Sequence, residues 1–565
     1  MSGIQSGQIL FTLLSGVVVS LAVTAVFLLL YRRAVARTMR TESLAGGIDH
    51  RSPRAPGWTP GDQPVPFQAS SQPSPPAQGA TPLAQRARAV RRRIAIAYTV
   101  AFGLSAAILH APPMHEAWAK STDGLGMLRA FVWWFPVWSA TLFIVAALLH
   151  LGRRQTWFAV AIAMATGAGL SILVPTAIRL VTGTALSPAL LANAFYFAIA
   201  LAMNAALPAV LVWATGRPRL RNVMPLVLLV VMSLSLVVAA VYHVFVQLFA
   251  GSGPVQETAL LAAAMAVGPA GLVLLLALPA GWLAWRGTAA LTARYRARRF
   301  SDMQLLADAW WGVIAAFGVA ALWQYGGWLA LGCATGAWAC YFVSVRLLLR
   351  IQRTGSAAGG PSLLLLRVFG HQARTERLFD AVAAHWRFTG PVAMIAGADL
   401  AVRSIDVDEA LAFAHGEIEA SYVADEAGLE RRLAGLRAQA DPDGRYRVEE
   451  FFCFDDTWRA TLQWLLLHTR VVLMDLRGFD SRNAGCVFEL EQLGRLGSLH
   501  RCVFVADAQT DRALAERTLS GGARSGGAVS TRWIDMPRDD EAGMARLRDA
   551  LFEAAASTLP ERPVG

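Results

Sequence analysis

Lysine is all but missing from this 565-residue chain: Lys120 is the only one, so the rest of the 51 basic side chains are arginines. A Walker A loop, a kinase catalytic site and a Schiff-base site each need a lysine in a defined setting, and "HEAWAKSTDG" around Lys120 supplies none of them. Charge is scarce too, at 16% of residues against 55% hydrophobic, which points to a polytopic membrane protein rather than a soluble enzyme. The five cysteines (Cys333, Cys340, Cys453, Cys486 and Cys502) have neither metal-ligand spacing nor the pattern of a disulfide framework. Cys333 and Cys340 stand two helical turns apart in an apolar run, where small-residue packing is their expected role. There is no H-E-x-x-H pair and no G-x-S-x-G elbow, so the corresponding peptidase and hydrolase motifs are absent. No metal site and no bound cofactor is expected.

The net charge of +12 is unevenly spread. Residues 360–565 hold 31 acids against 24 arginines, a net −7, which leaves 27 basic and 8 acidic residues before them, a net +19. That excess flanks apolar runs, as a cytoplasmic-loop bias would place it, and leaves no basic patch for nucleic acid. The expected partner is the lipid bilayer.

Nine runs are long and apolar enough to span it: about 9–31, 94–112, 128–151, 156–180, 188–214, 223–249, 258–285, 307–325 and 327–348. Arginines cluster in alternate loops: 32–40 with 91–93, then 153–154, 217–221, 286–299 and 346–353. The intervening loops, "HAPPMHEAWAKSTDG", "VTGTALS", "AGSGPVQE" and "QYGG", hold one lysine and no arginine. The positive-inside rule then sets the N-terminus outside and the C-terminus inside, as in an inner (plasma) membrane protein. The first run lacks a positive n-region and is followed by arginine pairs, which predicts an uncleaved anchor over 1–33. Residues 34–90, with the Pro-, Gly- and Ser-rich stretch 41–84, are expected to be a disordered cytoplasmic linker. About eight spans would form a bundle over 91–350, joined by a connector at 351–360 to a cytosolic domain at 361–558.

Polar residues inside spans carry a functional expectation by default, and two qualify: His243 in "AAVYHVFVQLF" and Asp308 in "LLADAWWG". A coupled-ion transporter would be expected to hold several central acids and an internal repeat, and neither is evident. Trp133, Trp134 and Trp138 fit an interfacial aromatic belt.

After Gly359 the pattern changes. Strands are predicted at 362–369, 391–396, 446–453, 470–476, 501–506 and 531–536, with helices at 373–386, 406–414, 426–439, 456–468, 485–496, 510–518 and 540–556. This alternation predicts a doubly wound parallel sheet of flavodoxin type, and runs such as "LLLL" and "VVLM" suit strands buried on both faces. "VFGHQAR" after the first strand has one glycine, so a dinucleotide fingerprint is missing. Ligand candidates are the polar residues at strand carboxyl ends: Arg367, His371, Asp455, Asp456, Asp475, Arg477 and Asp507. "DDTW" is better suited to a helix N-cap than to catalysis.

The stretch "DSRNAGCVFEL", in this order of elements, resembles a TIR (Toll/interleukin-1 receptor) domain. In that family a serine-containing loop leads into a helix opening Trp-Cys-x-x-Glu-Leu; Ser481, Cys486, Glu489 and Leu490 match, and Ala484-Gly485 stands where Trp precedes Cys. "SLLLLRVFG…RLFDAV" and "DDTWRATLQWLLLHTRVVLM" resemble the family's opening strand and helix and its later loop, helix and strand. Departures are an insertion at 397–445, no Asp and Ser-Tyr in the first strand, and no glycine after "DD". Some TIR domains cleave NAD between ribose and nicotinamide, so the resemblance implies NAD as substrate and Glu489 as catalytic carboxylate, with Ser481 and Cys486 beside it. Glu491, about 200° away on a helix, would face solvent. Other TIR domains are adaptors that assemble without catalysis.

Two functions follow as expectations. One is a membrane-anchored sensor or effector whose cytosolic TIR-like domain self-associates and cleaves NAD, as would suit a bacterial stress response. The alternative is a non-enzymatic membrane receptor or transporter with a nucleotide- or protein-binding regulatory α/β domain.

Overall fold

The computed structural model describes residues 25–38, 80–119, 285–312, 328–351, 360–368, 372–396, 407–418, 422–424, 426–437, 439–454, 457–497, 499–522 and 531–557, with Trp282 and Ala315. In chain order the helices are α1 (25–38), α2 (Ala80–Ala119), α3 (285–296), α4 (302–312), α5 (Trp328–Ile351), α6 (Gln372–Trp386), α7 (Val407–Ala414), α8 (Glu426–Arg437), α9 (Trp458–His468), α10 (Ala484–Leu496), α11 (Arg512–Gly522) and α12 (Glu541–Ser557). The strands are β1 (Leu363–Arg367), β2 (Val392–Ala396), β3 (Tyr422–Val423), β4 (Val448–Cys453), β5 (Val471–Asp475), β6 (Cys502–Ala506) and β7 (Arg532–Asp535). The chain divides into two compact units: Met1–Tyr31, Ala95–Ile351 and Ile405–Ala414 form the first, and Arg32–Ile94, Gln352–Ser404 and His415–Gly565 the second.

Among the described residues, two helical stretches are long and apolar enough to cross a membrane: Leu83–Leu109 in α2, which starts in the second unit, and Leu331–Ile351 in α5. At 1.5 Å per residue the shorter one extends about 32 Å, close to the thickness of a bilayer's hydrocarbon core. From residue 94 to 109 in α2, and from 328 to 345 in α5, no charged residue interrupts the helix. One face of each is buried, through Ala97, Tyr98, Ala101, Phe102 and Ala106 on α2 and Ala334, Ala337, Tyr341 and Val345 on α5. The opposite face leaves Ile96, Val100 and Leu104, or Leu329, Val343 and Leu347, exposed, an arrangement suited to lipid rather than water. Small residues on the buried faces let backbones approach closely.

Nine spans are more than the structure supports. The runs 128–151, 156–180, 188–214 and 223–249 lie outside the described residues, as does 258–285 apart from Trp282 and Trp285. Of 9–31 and 307–325 only 25–31, 307–312 and Ala315 are described. The linker stretch 41–79, the tryptophan cluster at 133–138 and most of the Gly-rich stretch 520–530 also lie outside them. Two boundaries are corrected: α1 runs on to residue 38 and α2 begins at Ala80, so that five residues at the start and eleven at the end of the expected linker are helical. "TPLAQRARAVRRR" is rich in Ala and Arg, both strong helix formers, and extends the following apolar helix backwards.

The second unit is a parallel seven-stranded sheet in the order β3-β4-β2-β1-β5-β6-β7. Helices cover both faces. Alternate residues of the central strands, Leu363 and Leu365, Val471 and Leu473, Val503 and Val505, pack with α6 and α12 through Leu378, Trp386, Leu547 and Leu551. The intervening residues, Leu364, Leu366, Val472, Met474 and Phe504, pack with α8, α9, α10 and α11 through Leu433, Leu465, Leu490 and Leu519. Strands covered on both faces need no polar alternation, which is why they read as continuous apolar runs. Gly390 allows a close crossing before β2: a Cβ there would sit 2.0 Å from the Pro361 backbone oxygen. From β1 the chain passes to β2, skips to β3 at the edge and fills the gap with β4, then returns to β5 and works the other way to β6 and β7. The neighbours β1 and β5 are therefore the topological switch point, and the crevice outside their carboxyl ends is where such sheets place ligands.

Candidate functional site

Arg367 and Asp475 are register partners at the carboxyl ends of β1 and β5, directly at the switch point. Helix α10 leaves β5 by a loop in which Gly478 takes a left-handed backbone (φ 74°) and donates its N–H to Asp507 Oδ1 at 3.1 Å. The 3.6-residue period of α10 turns Cys486, Glu489, Leu490 and Leu493 inward. Cys486 Sγ donates to the Arg367 carbonyl at 3.4 Å, tying the first turn of α10 to the end of β1.

Glu489 is only 3% exposed, and its Oε2 is fully buried with no hydrogen-bond partner. Burial pushes its carboxyl up to about 8, against the Arg367 guanidinium, whose charge pulls it down. Glu491, two residues on, has a side chain 43% exposed and lies 3.7 Å from Arg495 one turn away. The two acids thus separate as helical geometry predicts, Glu489 inward and Glu491 on the surface. A buried acid with a raised pKa beside the switch point marks a functional-site candidate.

The other acids of this crevice are fully engaged. Arg477 grips Asp475 with both arms of its fork, Nε to Oδ1 and Nη2 to Oδ2, each at 2.7 Å, and reaches Asp539 Oδ1 with Nη1 at 2.6 Å. Asp475 and Arg477 are each 2% exposed, so this is a buried ion pair that fixes the loop after β5. Asp507 at the end of β6 accepts from Arg374 Nη1 at 2.7 Å and from the Gly478 and Gln509 backbone and the Thr510 hydroxyl at 3.1 Å each. Partial burial would raise the Asp507 carboxyl, but these donors outweigh it and hold the group below the usual carboxylate range. Arg374 also donates from Nη2 to the carbonyls of Met536 and Pro537, which draws the start of α6 to the end of β7. Asp475 and Arg477 are accordingly cross-braces, a role that replaces the ligand contact expected of them.

Among the other expected residues, Arg367 and Cys486 come together with Glu489. Ser481 is exposed on the loop before α10. His371, Asp455, Asp456 and His243 lie outside the described residues, and Asp308 belongs to the first unit. The N-cap of α9 is Thr457, whose hydroxyl donates to the Val423 carbonyl at 2.8 Å instead of capping the helix. Arg374 and Asp539 were missed by sequence reasoning; their only signal is position, just past strand carboxyl ends. No group of three metal-ligating side chains occurs among the described residues.

No protein-family model, no curated protein and no solved structure matches this chain.

Proposed function

We propose that this is a membrane-anchored effector whose C-terminal α/β unit is a divergent TIR-like domain that self-associates and cleaves NAD, with Glu489 as the catalytic carboxylate. Its bundle spans the inner (plasma) membrane of a bacterium several times, with the N-terminus outside and the α/β unit in the cytoplasm. The observation that carries the proposal is Glu489 itself, buried at the β1/β5 switch point beside Arg367 with Oε2 lacking a hydrogen bond. Dry and neutral, it is an acid held in reserve. Assembly of the α/β units opens the crevice, and the entering nicotinamide-ribose, which is cationic, favours the ionised form. The carboxylate then accepts hydrogen bonds from the ribose hydroxyls and stabilises the oxocarbenium-like charge as the ribose C1′–nitrogen bond breaks. Nicotinamide leaves with the bonding pair, water adds at C1′ and loses a proton, and ADP-ribose is the second product.

The alternative, a non-enzymatic receptor or transporter with a nucleotide- or protein-binding α/β domain, is favoured by the cross-braces that occupy the same crevice. The deciding experiment induces full-length wild type, Glu489→Ala and Glu491→Ala, and measures cellular NAD and released nicotinamide. The expected result is NAD loss with wild type and Glu491→Ala, and none with Glu489→Ala. NAD unchanged by all three at matched expression refutes the enzyme.

A further inference from the structure

Helix α7 (Val407–Ala414) lies in sequence between β2 and β3, inside the α/β domain, yet it packs as part of the first unit. Its contacts there are of four kinds. Tyr31 of α1 donates its hydroxyl to Glu409 Oε2 at 3.3 Å in a buried hydrogen bond. Phe413 meets Phe27 and Tyr31 edge to face, with ring centroids 5.2 and 5.5 Å apart. Val407 and Leu411 join Tyr295 and Leu305 in a small apolar core, flanked by Leu291 and Phe300. Asp408 lies 3.5 Å from Arg296.

The receiving surface is itself built. Arg298 takes a left-handed backbone (φ 52°) in the turn from α3, Tyr295 donates to Asp302 across that turn at 2.7 Å, and the Ser301 hydroxyl caps α4 by accepting from the Gln304 N–H at 3.1 Å. A helix of eight residues is too short to persist alone in water, so α7 owes its structure to this surface. Both ends of the helix continue into the α/β unit, at residues 404 and 415.

We propose that α7 is the coupling element through which the membrane unit controls the α/β unit: the surface of α1, α3 and α4 holds it, and a shift of those helices releases it. The partner this surface fits is a short, acidic, amphipathic helix of the same chain. Coupling of this kind is reciprocal, so it must be detectable from either side. It goes beyond NAD cleavage and does not depend on it.

The test is hydrogen–deuterium exchange of the full chain in lipid nanodiscs, comparing wild type with Phe413→Ala on the helix and Tyr31→Ala on the surface. Each variant should speed exchange at least tenfold over 407–414 and also raise it at β3 and β4, which follow the helix. Tyr31→Phe, which keeps the ring and loses only the hydroxyl, should give a smaller change of the same pattern and guards against misfolding of the alanine variants. Unchanged exchange over 407–414 in both alanine variants overturns the docking. Faster exchange there with β3 and β4 unaffected overturns the coupling.

Discussion

Replacing Glu489 with glutamine should stabilise the α/β unit at neutral pH, and the gain should depend on pH in a defined way. Because burial raises this carboxyl from 4.5 to about 8, the folded state binds its proton more tightly than the unfolded chain does. For an acid raised in this sense, stability is greatest below 4.5, falls across the window up to about 8 and is level above it. Integrated from pH 5 to pH 7, the loss assigned to this one group is about 2–3 kcal/mol. Glutamine has nearly the same shape and stays neutral, so it keeps the packing of the protonated acid without the decline. At roughly 2–4 °C per kcal/mol for a domain of this size, the Tm of Glu489→Gln minus that of wild type should grow by about 5–10 °C over that interval. The assay is thermal unfolding of the full chain in detergent micelles at half-unit pH steps. Tryptophan fluorescence reports it, since Trp386 is buried and Trp458, Trp464 and Trp533 pack against the α/β core. A difference in Tm that stays flat from pH 5 to pH 8 refutes the buried, proton-holding state of Glu489.

Other outcomes follow from the same crevice. Arg477→Ala leaves Asp475 buried without its fork and should cost roughly 3–5 kcal/mol in urea denaturation of the α/β transition. Adding Asp475→Asn should recover part of that loss, and an undiminished loss in the double variant contradicts the pair as the cause. Burial pushes the thiols of Cys453 and Cys502 up to about 12, against the milder downward pull of nearby donors and arginines. Both should therefore resist iodoacetamide at pH 8 in the native protein and react on unfolding, as peptide mass mapping would show; rapid native labelling contradicts their burial.

Much of the α/β unit is legible in the sequence because its two-sided burial leaves an unmistakable trace. "SLLLLRVF" and "RVVLMDL" contain β1 and β5 with at most two residues of excess at either end. Strand β3 escapes notice because two residues at a sheet edge, Tyr422 and Val423, are too few to show a pattern. The inward placement of Glu489 was legible too, since Cys486, Leu490 and Leu493 define the apolar stripe of α10 and Glu491 falls outside it. The braces were not. Arg374, Arg477, Asp507 and Asp539 are ordinary charged residues in separate loops and helix starts, and only the closed sheet brings them together. Likewise 406–414 reads as one more helix of the α/β alternation, and nothing in its residues says that it packs elsewhere.

The contrast among the acids is the strongest ground for assigning Glu489 a task. Within one crevice, Asp475 receives both arms of Arg477 and Asp507 receives Arg374 with two backbone N–H groups and a hydroxyl. Each of those carboxylates is compensated for the water it has lost. Glu489 is more deeply placed than Asp507 and has Oε2 bare, and the charge of Arg367 opposes the desolvation without overcoming it. Stability alone would favour glutamine or leucine at this position. If the proposed activity holds, Glu489→Gln should both stabilise the α/β unit and abolish nicotinamide release, the trade expected where a functional group sits at a cost in stability. A variant that is more stable and still releases nicotinamide at the wild-type rate would break that link and leave the acid without a role.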